Sequence, residues 1–105
     1  MTFVLRENVD GHRLAGSIPS AFRAALPAGL PTAGLYTVLL FHADVIHSRE
    51  VAKALAKTQT DHVLVAVAKG FTEESRALLI ERGAVIVSLG DFFWTDASYL
   101  AIKRR

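Results

Sequence analysis

From residue 35 onward the chain switches between two hydrophobic rhythms. Leu35–Ala43 (LYTVLLFHA), His62–Ala68 (HVLVAVA) and Ala84–Leu89 (AVIVSL) are short, continuous runs rich in β-branched and aromatic residues. That is the pattern of strands buried on both faces. Helical spacing fills the gaps between them. Ser48 opens a helix to about Lys57, with Val51, Leu55 and the alanines between them on one face, and Thr72 caps a second helix running to Arg82. Gly83 stands where a left-handed C-cap belongs, and Thr95 can cap a last short helix to about Lys103. Strand, helix, strand, helix, strand predicts a βαβαβ unit. Right-handed crossovers make its strands parallel and place both helices on one face. The opposite face then needs a cover, either the N-terminal segment or a second subunit.

The first 34 residues carry weaker signals. Thr2–Leu5 reads as a short strand with Phe3 and Leu5 on one face, Asn8–Gly11 as a turn ending in the hairpin-type Asp10-Gly11 pair, and Arg13–Ala15 as a second short strand. Pro19–Leu26 reads as one or two helical turns with Ser17 or Ser20 as cap, and Pro27, Gly29, Pro31 and Gly34 punctuate a loop. The expected fold class is therefore α/β. It is a two-layer or three-layer sandwich around a mostly parallel βαβαβ sheet with a short N-terminal antiparallel piece. One domain covers 1–105, divided into an N-terminal hairpin and loop segment (1–34) and a βαβαβα unit (35–105).

Composition narrows the function classes. At 105 residues, 51% hydrophobic and 21% charged, the chain can bury a real core and is not a disordered segment. A mean hydropathy of +0.33 fits a sheet covered on both sides, an oligomer interface, or both. Twelve Lys and Arg against ten Asp and Glu leave a net charge of +2, and three of the cations are the terminal Lys103, Arg104 and Arg105. That is too little for a nucleic-acid footprint on its own. The absence of cysteine excludes thiol catalysis, disulfides and Cys-ligated metal, and fits a cytoplasmic protein. The charged Met1–Asp10 stretch is not the pattern of a signal peptide, and the apolar runs are too short to span a bilayer, so no membrane partner is expected.

In open parallel sheets, ligands gather outside the carboxyl ends of the strands. Those ends supply Asp44, then Lys69 and Gly70, then Gly90 and Asp91. The helix starts at Ser48 and Thr72 point backbone N–H groups the same way, which makes an anion seat with Lys69 adding charge. The candidate ligand set is Asp44, Ser48, Lys69, Gly70, Thr72 and Asp91. The plainer reading of the same residues is that the two aspartates close turns and Lys69 is a solvated strand end. His42, Asp44 and His47 form H-x-D-x-x-H, a candidate metal set, because imidazole and carboxylate both ligate zinc. Alternation puts His42 and Asp44 on one face but leaves His47 beyond the strand. His12 and His62 read as surface or hydrogen-bonded histidines. No nucleotide-binding glycine pattern and no G-x-S-x-G is present. Phe92, Phe93, Trp94 and Tyr99 bring four of the nine aromatics into the last residues beside basic ones. That mixture reads first as a packing or dimer cluster and second as a base-stacking surface.

Residues 49–93, REVAKALAKTQTDHVLVAVAKGFTEESRALLIERGAVIVSLGDFF, resemble the C-terminal half of restriction-endonuclease-like domains of the Mrr type. Gly70-Phe71-Thr72 and Leu89-Gly90-Asp91 stand at the family's two strand-end turns. The resemblance implies a nuclease-like fold. The family's Glu/Gln-x-Lys belongs on the strand before the helix, but Tyr36–Ala43 holds neither a carboxylate nor a lysine. Asp10 could stand at the upstream Asp and cannot alone hold Mg²⁺ and activate water. The resemblance thus implies a catalytically inactive version. The expected function is non-catalytic: association as a homodimer or as a protein-partner module. Nucleic-acid binding inherited from the nuclease-like half, helped by Lys69, Arg76, Arg82 and the terminal basic residues, is the alternative, and a metal-dependent hydrolase built on Asp44, His42 and His47 is the third. No cofactor is indicated.

Overall fold

A computed structural model describes residues 3–58 and 61–89. Strands β1 (Phe3–Asp10), β2 (Leu35–His42), β3 (Val63–Ala68) and β4 (Val85–Ser88) form one sheet in the order β1-β2-β3-β4. β1 runs antiparallel to β2, from Phe3 opposite His42 to Asp10 opposite Leu35. β2, β3 and β4 are parallel, with Val38 beside Val65 and Ala66 beside Ile86. The crossovers are α2 (Ser48–Ala56) and α3 (Glu73–Glu81). Both helices lie on one face, where Val51, Ala54 and Leu79 close over Leu39, Phe41, Leu64, Ala66 and Ala68. Among the described residues no helix is long and apolar enough to cross a membrane.

The other face is covered by the chain itself. Gly11–Arg13 forms a 3-10 turn, Leu14–Ser17 a single helical turn (α1), and Ser20–Ala25 a 3-10 helix. Leu14 and Ile18 are buried against Tyr36, Val38, Val65, Val67 and Val87, with Phe22, Leu26 and Leu30 packed around them. Of the two covers the sequence allows, the described residues use the N-terminal segment, which makes the sandwich three-layered. The Tyr36 hydroxyl ties this cover to the sheet, donating to the Pro31 carbonyl at 2.6 Å.

Several sequence expectations change. The first strand extends to Asp10 and pairs with β2. Arg13–Ala15 is not a strand, and Asp10-Gly11 is not a hairpin turn. The Asp10 carboxylate instead accepts from the N–H groups of His12 (3.0 Å) and Arg13 (3.2 Å), which starts the 3-10 turn. Gly11 donates to the Gly34 carbonyl at 3.1 Å. A Cβ at Gly11 would collide with the carbonyls of Pro31 and Thr32, so the chain crosses itself there only because the residue is glycine. Thr72 is the N-cap of α3, and Gly83 ends it with φ 76°. The helix expected from Thr95, and the aromatic cluster Phe92, Phe93, Trp94 and Tyr99, lie outside the described residues.

Ile18 is fully buried, and it holds the N-terminal cover to the sheet. Ile18→Ala should lower the unfolding free energy by about 2–5 kcal/mol in urea denaturation. A change below about 0.5 kcal/mol, the scale of a surface substitution, would show that the cover is not part of the cooperative unit.

Candidate functional site

The strand order decides where a site can form. Both crossovers step in the same direction across the sheet, so there is no reversal between β2, β3 and β4, and no switch-point crevice opens at their carboxyl ends. The loops after β2 and β3 close up instead. Ile46 donates to the Gly70 carbonyl at 2.9 Å and accepts from Thr72 N–H at 3.0 Å, making a parallel bridge to Phe71 that prolongs the β2–β3 ladder. The Thr72 hydroxyl accepts from Ser75 N–H at 3.1 Å and donates to the Ser75 hydroxyl at 3.0 Å. The Ser75 hydroxyl in turn donates to the Ile46 carbonyl at 2.9 Å. Ile46, Phe71, Thr72 and Ser75 are all buried.

This knot disperses most of the ligand set read from sequence. Gly70 and Thr72 are buried in the closure, the Thr72 hydroxyl takes up the Ser75 N–H, and the first turn of α3 carries the acidic Glu73 and Glu74, which disfavour an anion. Ser48 is the first residue of α2, where the sequence places the helix start, and the cap position falls on the residue before it. His47 takes that place: its imidazole accepts the Glu50 N–H, and the Glu50 carboxylate accepts from His47 N–H at 2.7 Å. Asp91 lies outside the described residues. Asp44 and Lys69 do come together, Nζ to Oδ1 at 3.5 Å, with side chains 82% and 62% exposed. So exposed a pair is screened by solvent and contributes little to stability.

The metal set separates in the same way. The His42 ring lies against Phe3 with centroids 5.8 Å apart, Asp44 faces Lys69, and His47 caps α2. Among the described residues no three His, Asp or Glu side chains are grouped to hold a metal ion. Asp10 caps its turn at the Leu35 end of β2, the far end from Asp44.

What the structure builds at the carboxyl end of β2 is a groove of about 400 Å³ on the N-terminal-cover face. Pro19 and Phe22 line it from the cover and Leu40 to Ala43 from the end of β2, with the largely exposed Asp44 and Lys69 at its mouth. Leu40 and His42 continue the alternation that points Tyr36 and Val38 at the cover. Pro19 and Phe22 were legible only as turn residues, because nothing local in the sequence says which strand end they reach.

A second cluster gives His62, read from sequence as a surface or hydrogen-bonded histidine, partners that the sequence does not indicate. The buried Thr37 hydroxyl donates to Asn8 Oδ1 at 2.8 Å and lies 3.0 Å from His62 Nδ1. It links β1, β2 and the entry to β3 across sequence separations of 25 and 29 residues. Only the strand register, with Asn8 opposite Thr37, brings them together. On α3, burial lowers the pKa of the Arg76 guanidinium, which still stays charged at neutral pH.

These two environments predict opposite sensitivities. Thr72→Val removes the cap of α3 and a bond to Ser75, and should cost about 1–2 kcal/mol in chemical denaturation. Asp44→Ala and Lys69→Ala should each change stability by less than about 0.5 kcal/mol in the same assay.

Compared with family models, with curated proteins and with solved structures, the chain matches none of them.

Proposed function

We propose that this chain is a non-catalytic α/β domain that acts by association, as a homodimer joined through β1. The observation that carries the reading is the state of this edge strand. β1 is eight residues long, and among the described residues β2 is the one strand paired to it. Phe3 and Leu5 lie on one face of β1, 58% and 47% exposed. A long edge strand with apolar side chains is a template for another strand.

Symmetry selects a register. A two-fold axis normal to the sheet joins the strands antiparallel and keeps each face on its own side, so residues of equal parity stand opposite one another. Centring the axis on Val4 sets Phe3 of each copy opposite Leu5 of the other. Centring it on Arg6 or Glu7 opposes like charges, and centring it on Leu5 sets Phe3 against Glu7. The Val4 register joins two four-stranded sheets into one, with the helices of both copies on the same side.

The chain has no cysteine, so Val4→Cys introduces a single thiol. On the axis its Cα lies about 4.5–5.5 Å from its symmetry mate, within disulfide range. Mild oxidation should cross-link Val4→Cys and leave Arg6→Cys monomeric on a non-reducing gel. Leu5→Lys should shift the protein toward monomer across a dilution series in light scattering, with its urea midpoint unchanged. A wild-type monomer at every concentration would overturn the reading. Affinity for DNA or RNA that falls steeply with salt would replace it with a nucleic-acid partner.

A further inference from the structure

We infer that the groove at the end of β2 takes a free α-amino acid with an apolar side chain. No ligand contact comes from β1, although Phe3 and Leu5 stand beside His42 and Leu40 of the groove. Three observations bear on the ligand. The mouth carries one carboxylate and one ammonium, Asp44 and Lys69, 3.5 Å apart. A lone anion there meets Asp44, and a lone cation meets Lys69. A ligand with both charges on neighbouring atoms satisfies both side chains at once, and an α-amino acid carries its ammonium and carboxylate on a single carbon. Because both side chains are largely exposed, each can turn from its partner to the ligand's opposite charge without becoming a buried, unpaired ion.

The interior sets the rest of the molecule. Pro19, Phe22 and Leu40 offer an apolar lining beside the charged mouth, so the ligand's side chain is aliphatic or aromatic. The volume of about 400 Å³ sits near the lower end for small-molecule sites and suits a metabolite-sized ligand. A phosphate-bearing ligand is disfavoured. No residue of α2 or α3 lines the groove, so neither helix start presents its N–H groups there.

The test is an NMR shift titration of the full chain with three probes that share a phenyl group: L-phenylalanine, 3-phenylpropionate with the carboxylate alone, and phenethylamine with the ammonium alone. L-phenylalanine should saturate, with shifts centred on the backbone amides of His42, Ala43 and Lys69. It should bind about fivefold tighter than either single-charge probe, the scale of an exposed ion pair. Asp44→Asn should reduce its affinity to that of 3-phenylpropionate, and Lys69→Met to that of phenethylamine. Failure of L-phenylalanine to saturate, or equal binding of the three probes by the wild-type chain, overturns the inference. Repeating the titration on the wild-type chain at protein concentrations on either side of the monomer–dimer transition separates it from the association reading; Leu5→Lys is unsuitable for this, because Leu5 stands opposite Leu40 of the groove.

Discussion

The two central strands are apolar on both sides, and the rest of the fold follows from keeping water away from them. In β2, Leu39 and Phe41 face the helices while Tyr36 and Val38 face the other way; in β3, Leu64 and Ala66 oppose Val65 and Val67. Parallel strands of this kind expose a full apolar face unless both sides are covered. The right-handed crossovers supply one cover automatically. The second comes from residues 11–30, whose own regular structure is slight: one helical turn and two 3-10 pieces. Leu14, Ile18, Phe22, Leu26 and Leu30 pack there because the sheet offers an apolar surface, not because the segment is a strong helix former.

The same economy shapes the carboxyl end of the sheet. With both helices on one face and no reversal of strand order, the loops after β2 and β3 are neighbours and pair through Ile46 and Phe71. Extending the ladder satisfies the backbone groups of two loops that would otherwise be buried without partners. It also removes the open crevice that carries ligands in doubly wound sheets. Chemistry at this end is displaced to the other face, where the N-terminal cover stops short of the strand ends. The groove between Phe22 and Lys69 is what that incomplete cover leaves behind.

The sheet's two edges also differ. β4 is four residues long, whereas β1 has eight. β1 carries Arg6 and Glu7 in its middle and Phe3 and Leu5 at its start. The charges make any pairing selective in register, because like charges opposite one another on adjacent strands repel. The apolar start of the strand lies beside His42, so the β1 edge, unpaired among the described residues, and the groove share one corner through the Phe3–His42 contact.

Local pattern in the chain was enough for the buried strands β2 and β3, the two helices, the Thr72 cap and the Gly83 stop; it also located β4, but as a run buried throughout, whereas at the end of the sheet order only Val87 of that strand is buried. Each is encoded within a few residues by periodicity or by a backbone conformation that only certain residues adopt. It also placed Asp44 and Lys69 at the same end of the sheet, since parallel strands share their direction. Tertiary structure alone decided the rest. Asp10-Gly11 looks like a hairpin turn, yet the strand before it pairs along its whole length with the distant β2, and the Asp10 carboxylate caps a 3-10 turn instead. Ser48 opens its helix as the pattern says, but the capping pair His47 and Glu50 is not legible in it. Thr72 and Gly70 read as open ligand residues and are buried, because the Ile46–Phe71 bridge depends on which loops the strand order makes adjacent. Partners far apart in the sequence, such as His62 with Thr37 and Phe22 with Leu40, leave no local trace, because register and cover geometry are set by the free energy of the whole packed sheet.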